Sequence, residues 1–320
     1  MSLMYSMKNQ RPIKELKILS QAFNNLKMSS PAGKFLTLVA CHTDSKLKLN
    51  STIQNLKRLI ITGNKVIIIN SVDSEFNDRL KSFVQKTYPA IEYIEVPNNS
   101  HLDAGKWMTY MRSDAFHKMK GSFNYVVFTN DSYLLSGPVD HFYKGALNSS
   151  KDMFGFTSSS QERYHYQSYM FAIRPQAVGL FVNHYHKVGR HLIDYHSVVG
   201  NIEMQLEKIY LHSCSVLIDL GLFPGNTGRN IFFNNDTLYT KLRTMGILPI
   251  TKIKRITEPQ SNHGRKNPSM TTEIRSMYSP TQVAVKNPSA VVIKHKNTSN
   301  TSFPTGMKMS NVIVGTHQAY

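Results

Sequence analysis

Residues Tyr125 to Ser132 read Tyr-Val-Val-Phe-Thr-Asn-Asp-Ser, an apolar run that passes without a break into an acidic tip. Buried parallel strands have this continuous apolar character, and open α/β sheets place their ligand sites just beyond the strand carboxyl ends. A carboxylate at Asp131 can hold a divalent cation, and the cation can hold a diphosphate, with Asn130 and Ser132 orienting the carboxylate or water ligands. The same three residues also make an ordinary turn. Other candidates stand at comparable places. His42 and Asp44 follow one apolar run and Asp73 follows a second, where a nucleotide base and ribose would lie. Asp103-Ala104-Gly105-Lys106-Trp107 opens a helical pattern, with Asp103 suited to its N-cap and Lys106 to a phosphate. Asp44 and Asp73 read equally as plain loop residues, and Trp107 as core.

The elements that must position these groups alternate regularly. Strands are expected over 35–41, 66–69, 91–96 and 125–129, separated by helices over 50–61, 74–86 and 104–119. That alternation means βαβ units and a mostly parallel central sheet flanked by helices. A short helix over 139–147, strands over 153–157 and 168–173, and helices over 175–182, 202–211 and 237–245 follow. The expected organisation is a basic extension over 1–33, an α/β domain over 34–257 and a basic, disordered tail over 258–320.

Common phosphate cradles are missing. No Gly-x-Gly-x-x-Gly follows the first strand and no Gly-x-x-x-x-Gly-Lys-Ser/Thr occurs, which argues against a nicotinamide enzyme or a P-loop ATPase. Cys and His lack the spacing of a structural zinc site. Hard oxygen ligands suit Mg²⁺ or Mn²⁺ instead.

The chain carries a net charge of +18 over 320 residues, and the ends hold most of it. Residues 1–34 contain six Lys/Arg against one Glu, and residues 251–320 contain ten against two. Such ends stay solvated, touch an anionic membrane surface or meet nucleic acid; the aromatic and Arg-rich motifs of known RNA modules are absent. No apolar run approaches the roughly 20 residues of a membrane span. The amino terminus lacks a secretory core, and two cysteines in apolar surroundings suggest reduced thiols. A cytoplasmic location, peripheral at a membrane at most, is expected.

At Phe128-Thr129-Asn130-Asp131-Ser132-Tyr133, with Gly137-Pro138 just after, the chain resembles the rhamnan synthesis F family of glycosyltransferases. The likeness continues through Asp152-Met153-Phe154-Gly155-Phe156-Thr157, where the family has Asp-x-Trp-Gly-x-Thr. It extends to His165-Tyr166-Gln167-Ser168-Tyr169-Met170, Glu203 and Leu248-Pro249-Ile250-Thr251-Lys252, and covers about residues 34–256. Phe154 in place of Trp and Tyr166 in place of Leu depart from the family pattern. The resemblance implies a GT-A type fold, a nucleotide-sugar donor (often activated rhamnose) and a polysaccharide or lipid-linked glycan acceptor. It also implies a general base near the start of a helix, which points to Glu203 with Asp194 and Glu162 in reserve; an ordinary first-turn Glu is the plainer reading. His165, Gln167 and Ser168, opening a strand on the acceptor side, become candidates for sugar hydroxyls. His184, His186, His191 and His196 read as a solvated face, and His263 as a distant diphosphate contact. The expected function is a metal-dependent, inverting transfer of a sugar. The alternative is a turnover-deficient sugar-nucleotide-binding module docked by its basic ends.

Overall fold

The computed structural model describes residues 34–60, 63–159, 163–211, 213–219, 240, 243–244, 248–253 and 315–316. Four strands, β1 (Phe35–Cys41), β2 (Asn64–Ser71), β3 (Glu92–Val96) and β4 (Tyr125–Asn130), run parallel in the order 3-2-1-4. The chain steps outward from β1 to β3, then returns across β1 to lay β4 on its other side. Beyond β4 comes β8 (Met170–Ile173), antiparallel to β4 and to β6 (Met153–Ser159). Next to β6 lies β9 (Cys214–Ile218), parallel to it, and β11 (Gly315–Thr316) pairs antiparallel with β9. Two short additions complete the set. β7 (His165–Tyr166) pairs with the end of β6, and β5 (Tyr133–Leu135) forms a separate antiparallel ribbon with β10 (Ile250–Lys252). The expected α/β class, a mostly parallel central sheet flanked by helices, is what the chain forms.

Alternate residues of β1 feed two apolar layers. Phe35, Val39 and Cys41 pack beneath α1 (Lys46–Leu59), α2 (Asn77–Thr87) and α5 (Asp140–Asn148). Leu36, Leu38 and Ala40 face α3 (Leu102–Met111), α4 (Asp114–Met119) and α6 (Val178–Val188). Every residue of β1 and β4 is buried, which is why both strands read as unbroken apolar runs. Trp107 is core, as expected. It lies edge-on to Phe128 and Phe171 and donates its indole N–H to the Thr129 carbonyl at 3.2 Å.

Several boundaries differ from the sequence expectation. The single helix expected over 104–119 is two, because Ser113 caps α4 by accepting from the Phe116 N–H at 3.2 Å. Such a cap stabilises a helix start by about 1 kcal/mol. The helix expected over 202–211 is a 3-10 turn (Glu203–Gln205) running into the one-turn α8 (Leu206–Ile209), behind the separate α7 (Tyr195–Asn201). The strand expected over 168–173 begins at Met170, leaving Gln167 and Ser168 in the turn before it. Of the helix expected over 237–245, residues 240, 243 and 244 are described, and all are helical. The readings of 1–33 and of 258–320 lie outside the described residues, apart from the β11 pair. Cys41 and Cys214 are buried free thiols. No described helix is long and apolar enough to cross a membrane.

Candidate active site at the carboxyl edge of the sheet

The connections leave β1 and β4 in opposite directions, so the carboxyl ends of these neighbours flank a topological switch point, where open α/β sheets bind ligands. His42 follows β1 and Asp131 follows β4. The two meet, with the His42 backbone N–H donating to Asp131 Oδ2 at 2.7 Å. Asn130 shapes the tip as a turn, its Oδ1 accepting from the Ser132 N–H at 3.1 Å and the Ser132 hydroxyl at 2.7 Å. The turn reading is therefore right as geometry, and the turn leaves the Asp131 carboxylate beside both strand ends. Asn130 Nδ2 also donates to Asp103 Oδ2 at 2.7 Å, tying the start of α3 to the same spot.

Asp103 is not the helix cap. That position is held by His101, which makes no side-chain cap bond, and Asp103 is the second helical residue. His101 and Leu102 lie at φ 56° and 52°, in the left-handed region, which L-residues occupy at a cost of roughly 1–2 kcal/mol each. This bend carries α3 close over its own approach. A Cβ on Gly105 would collide with the Ser100 carbonyl oxygen, so the helix start needs glycine there.

Lysines surround the two carboxylates. Lys48 reaches from α1 to Asp44 Oδ2 at 2.9 Å and to the His42 carbonyl at 3.1 Å. Lys106 is buried and donates to Asn99 Oδ1 and to the Leu102 carbonyl. Its ammonium is thus engaged with its own loop, which corrects the expectation of a direct phosphate contact, although its charge reaches Asp103 and Asp131. Lys252 comes in from β10, donates to the Ser132 hydroxyl at 3.1 Å and stands 4.3 Å from the centre of the Tyr169 ring. Burial pushes Asp131 up to about 7; Asp103 adds to the shift, while Lys48, the His42 N–H and Lys106 oppose it. Burial also raises Asp103 and lowers Lys106. Lys252 falls to about 8 through burial, against the pull of Glu203 and Asp103.

The remaining nucleotide candidates lie along the same edge. His42 Nδ1 is 2.8 Å from the Ser71 hydroxyl and 3.7 Å from Asp73 Oδ1. Burial, Lys106 and Lys48 lower its pKa. Asp73 stays exposed, and Asp44 is drawn into its pair with Lys48.

A second group forms where β7 meets the 3-10 turn. Glu203 Oε2 accepts from the Ser168 hydroxyl, and Oε1 stands 3.5 Å from His165 Nε2. His165 Nδ1 lies 2.9 Å from the Arg163 carbonyl, which only accepts, so Nδ1 carries a proton. Burial pushes Glu203 up, but the His165 and Ser168 hydrogen bonds outweigh it and hold the carboxyl below its ordinary value. Burial pulls His165 down, and Glu203 with the Arg163 carbonyl more than compensates, so the imidazole is raised. In a hydrolase triad the histidine lies between serine and acid. Here the acid lies between them, so the imidazole does not face Ser168 and the serine–histidine contact of a triad is missing.

Other expectations are corrected. Gln167 is buried and bound to Thr157 through both backbone and side chain, at 3.0 Å and 2.8 Å, so it braces β7 against β6 and is not open to sugar hydroxyls. Asp194 caps α7 in a capping box with Ser197, which removes it as a reserve base. Glu162 and His263 lie outside the described residues. His186, His191 and His196 are exposed as expected, while His184 is half-buried and bonds the Asn201 carbonyl at 2.6 Å. Lys48 and Lys252 went unnoticed as site residues. The i,i+4 spacing from Asp44 pointed to Lys48, and the family-like ending Leu248-Pro249-Ile250-Thr251-Lys252 pointed to Lys252.

Among the described residues no group of three or more His, Cys, Asp or Glu side chains is placed to hold a metal. A Mg²⁺-type ion does not need one, since it takes one or two carboxylates and completes its shell with water and substrate phosphates. Asp131 Oδ2 is occupied, and its Oδ1 accepts no bond among the described residues. With Asp103 beside it, the donor set fits a hard cation held partly by its ligand.

No protein-family model matches the chain, and no curated protein matches it in sequence. Solved structures show a loose likeness of fold. The mannosyltransferase PcManGT from Pyrobaculum calidifontis, in complex with GDP-Man and Mn²⁺, aligns over 74% of this chain and 70% of its own, with 9% identity and a TM-score of 0.40. The glycosyltransferase GlyE of Streptococcus pneumoniae TIGR4 aligns over 77% and 61%, with 9% identity and a TM-score of 0.44. S. aureus TarS 1-349 aligns over 57% and 58%, with 10% identity and a TM-score of 0.38. The chain spans about 60% of the length of the latter two. What it does is read from its own residues.

Proposed function

We propose that the chain is a glycosyltransferase of GT-A type that moves a sugar from a nucleotide-diphosphate donor to a glycan acceptor with inversion. The observation that carries this reading is Asp131. It is a buried carboxylate at the β1/β4 switch point, tied to the neighbouring strand end, with the charges of Lys48 and Lys106 acting on it and Lys252 bonded to the next residue, Ser132. A positive field around hard oxygen donors suits a metal-bound diphosphate and suits a neutral ligand poorly. The resemblance of this tip to the rhamnan synthesis F family makes activated rhamnose a candidate donor sugar.

Asp131 and Asp103 would hold Mn²⁺ or Mg²⁺, and the ion, when bound, supplies Lewis-acid neutralisation of charge on the departing diphosphate. Asn130 fixes both carboxylates, one by shaping the turn and the other by donating to it. Lys48 and Lys106 add fixed positive charge, which in a dry site stabilises charge developing in the transition state. His42, Asp73 and Asp44 lie where the nucleoside would run, along the ends of β1 and β2. Glu203 takes the proton of the acceptor hydroxyl as that oxygen attacks the anomeric carbon; a single base and one displacement give inversion. Its lowered pKa keeps it ionised at neutral pH, as a base must be. The basic ends would hold the protein at an anionic surface where lipid-linked acceptors reside.

The test is sugar release or transfer from GDP-mannose, UDP-glucose and dTDP-rhamnose with Mn²⁺ or with EDTA. Turnover of any of them that needs the metal supports the reading. Binding without turnover by the full chain, with a lipid-linked acceptor present, would favour a pure binding module.

A further inference from the structure

We propose that His165 is the positioning residue of Glu203 and the place where the acceptor's proton comes to rest. This rests on the reading of Glu203 as the base. The geometry assigns the two ring nitrogens different tasks. Nδ1–H is spent on the Arg163 carbonyl at 2.9 Å, which fixes the ring and leaves Nε2 facing Glu203 Oε1 at 3.5 Å. Ser168 holds the other carboxylate oxygen. The Ser168 hydroxyl therefore holds one carboxylate oxygen, while the fixed edge of the His165 ring confines the other and pairs with it only when the ring is charged. Both groups come from one short segment, β7 and the turn after it, and Glu203 sits on the facing 3-10 turn.

The acceptor oxygen forms its bond to the anomeric carbon while the bond from that carbon to the diphosphate oxygen breaks, the electron pair leaving with the diphosphate. The acceptor O–H breaks and its proton passes to Glu203. From Glu203 the proton moves to His165 Nε2, which accepts it when the ring is neutral. The carboxylate is regenerated, and the imidazolium returns the proton to solvent between turnovers. An already protonated His165 has no room for this proton and stabilises Glu203 as a weaker base, so turnover should fall on the acid side as His165 becomes charged. The titratable and charged groups facing the pair are Arg163 beside β7, Lys252 on β10 and Tyr195 at the start of α7. Glu207 on α8 acts on Tyr166 instead.

Two measurements on the full chain test this. Histidine ring resonances are titrated by NMR in the wild type and in Glu203→Gln, with His165→Gln assigning the signal. The His165 midpoint should fall in Glu203→Gln, and an unchanged midpoint would overturn the pairing whether or not the protein transfers sugar. Second, kcat is followed against pH for the best donor of the panel above. In His165→Gln, kcat should drop about tenfold or more with donor KM unchanged, and the acid limb should move to lower pH. An acid limb that stays in place, or an equal change in kcat and donor KM, would overturn the proton role. A wild type inert toward every donor defeats the proposed function, while the NMR midpoint still reports on the pair.

Discussion

Asp131 concentrates the conflict between stability and use. Its carboxylate is only 4% exposed, and burial raises its pKa to about 7. A carboxyl raised in the folded state contributes stability in full below its unfolded value near 3.8, and loses it as pH rises through about 7. At pH 8 without metal, Asp131→Asn should therefore melt higher than the wild type. Each kcal/mol gained is worth about 2–4 °C in a domain of this size. At pH 5, where the wild-type side chain is protonated, the gap should nearly close. Equal melting of the two proteins at pH 8 in EDTA would show that the carboxylate is not desolvated. Across the site, Glu203→Gln keeps the shape and the Ser168 contact but removes the proposed base. Turnover should fall by about 10²–10⁴-fold with donor affinity retained, as read by steady-state kinetics and donor titration; a matching loss of both would make Glu203 structural.

At the scale of elements, the β5–β10 ribbon is the part that joins the two halves of the site, and a single side chain from α1 anchors it. Asn55 is buried, donates to the Tyr133 carbonyl at 2.7 Å and accepts from the Leu135 N–H at 2.8 Å, as a neighbouring strand would. Asn55→Leu leaves both backbone groups buried and unpaired, at about 1–3 kcal/mol for each. The variant should unfold at lower denaturant and lose the register that brings Lys252 to Ser132; unchanged stability would show that another group satisfies β5. Gly105→Ala should also destabilise, by about 1–3 kcal/mol, and weaken donor binding by displacing Asp103. Much of this level was legible in the sequence. β1 and β4 are apolar and buried throughout, β2 is buried from Val66 to Ser71, and α1 buries one face through Leu49, Leu56 and Leu59, so their patterns are strong. The ribbon was not legible, because three-residue strands have no periodicity and Tyr133 finds its partner in Lys252, far along the chain. The break between α3 and α4 was hidden because Ser113 ends one apolar face and begins another without a glycine or proline. The tip at Asp131 was visible from its strand. The grip of His165 on Glu203 was not, since it depends on how β7 folds back along β6.

For the whole molecule, the strand order decides where chemistry can happen. Parallel strands bring the ends of β1, β2, β3 and β4 to one edge, and β6 and β9 point the same way. The antiparallel β8 begins at that edge, which brings Ser168 to the same side as Asp131. The residues proposed to handle donor and acceptor thus share one edge of the sheet. The central claim is that Asp131 binds a cation that in turn binds a nucleotide sugar's diphosphate. Calorimetric titration of GDP-mannose, UDP-glucose and dTDP-rhamnose into the wild type and Asp131→Ala, each with Mn²⁺ and with EDTA, tests it most directly. The account predicts binding of at least one donor by the wild type with Mn²⁺, and none by the wild type in EDTA or by Asp131→Ala. Equal donor binding by Asp131→Ala, or binding indifferent to EDTA, would contradict it.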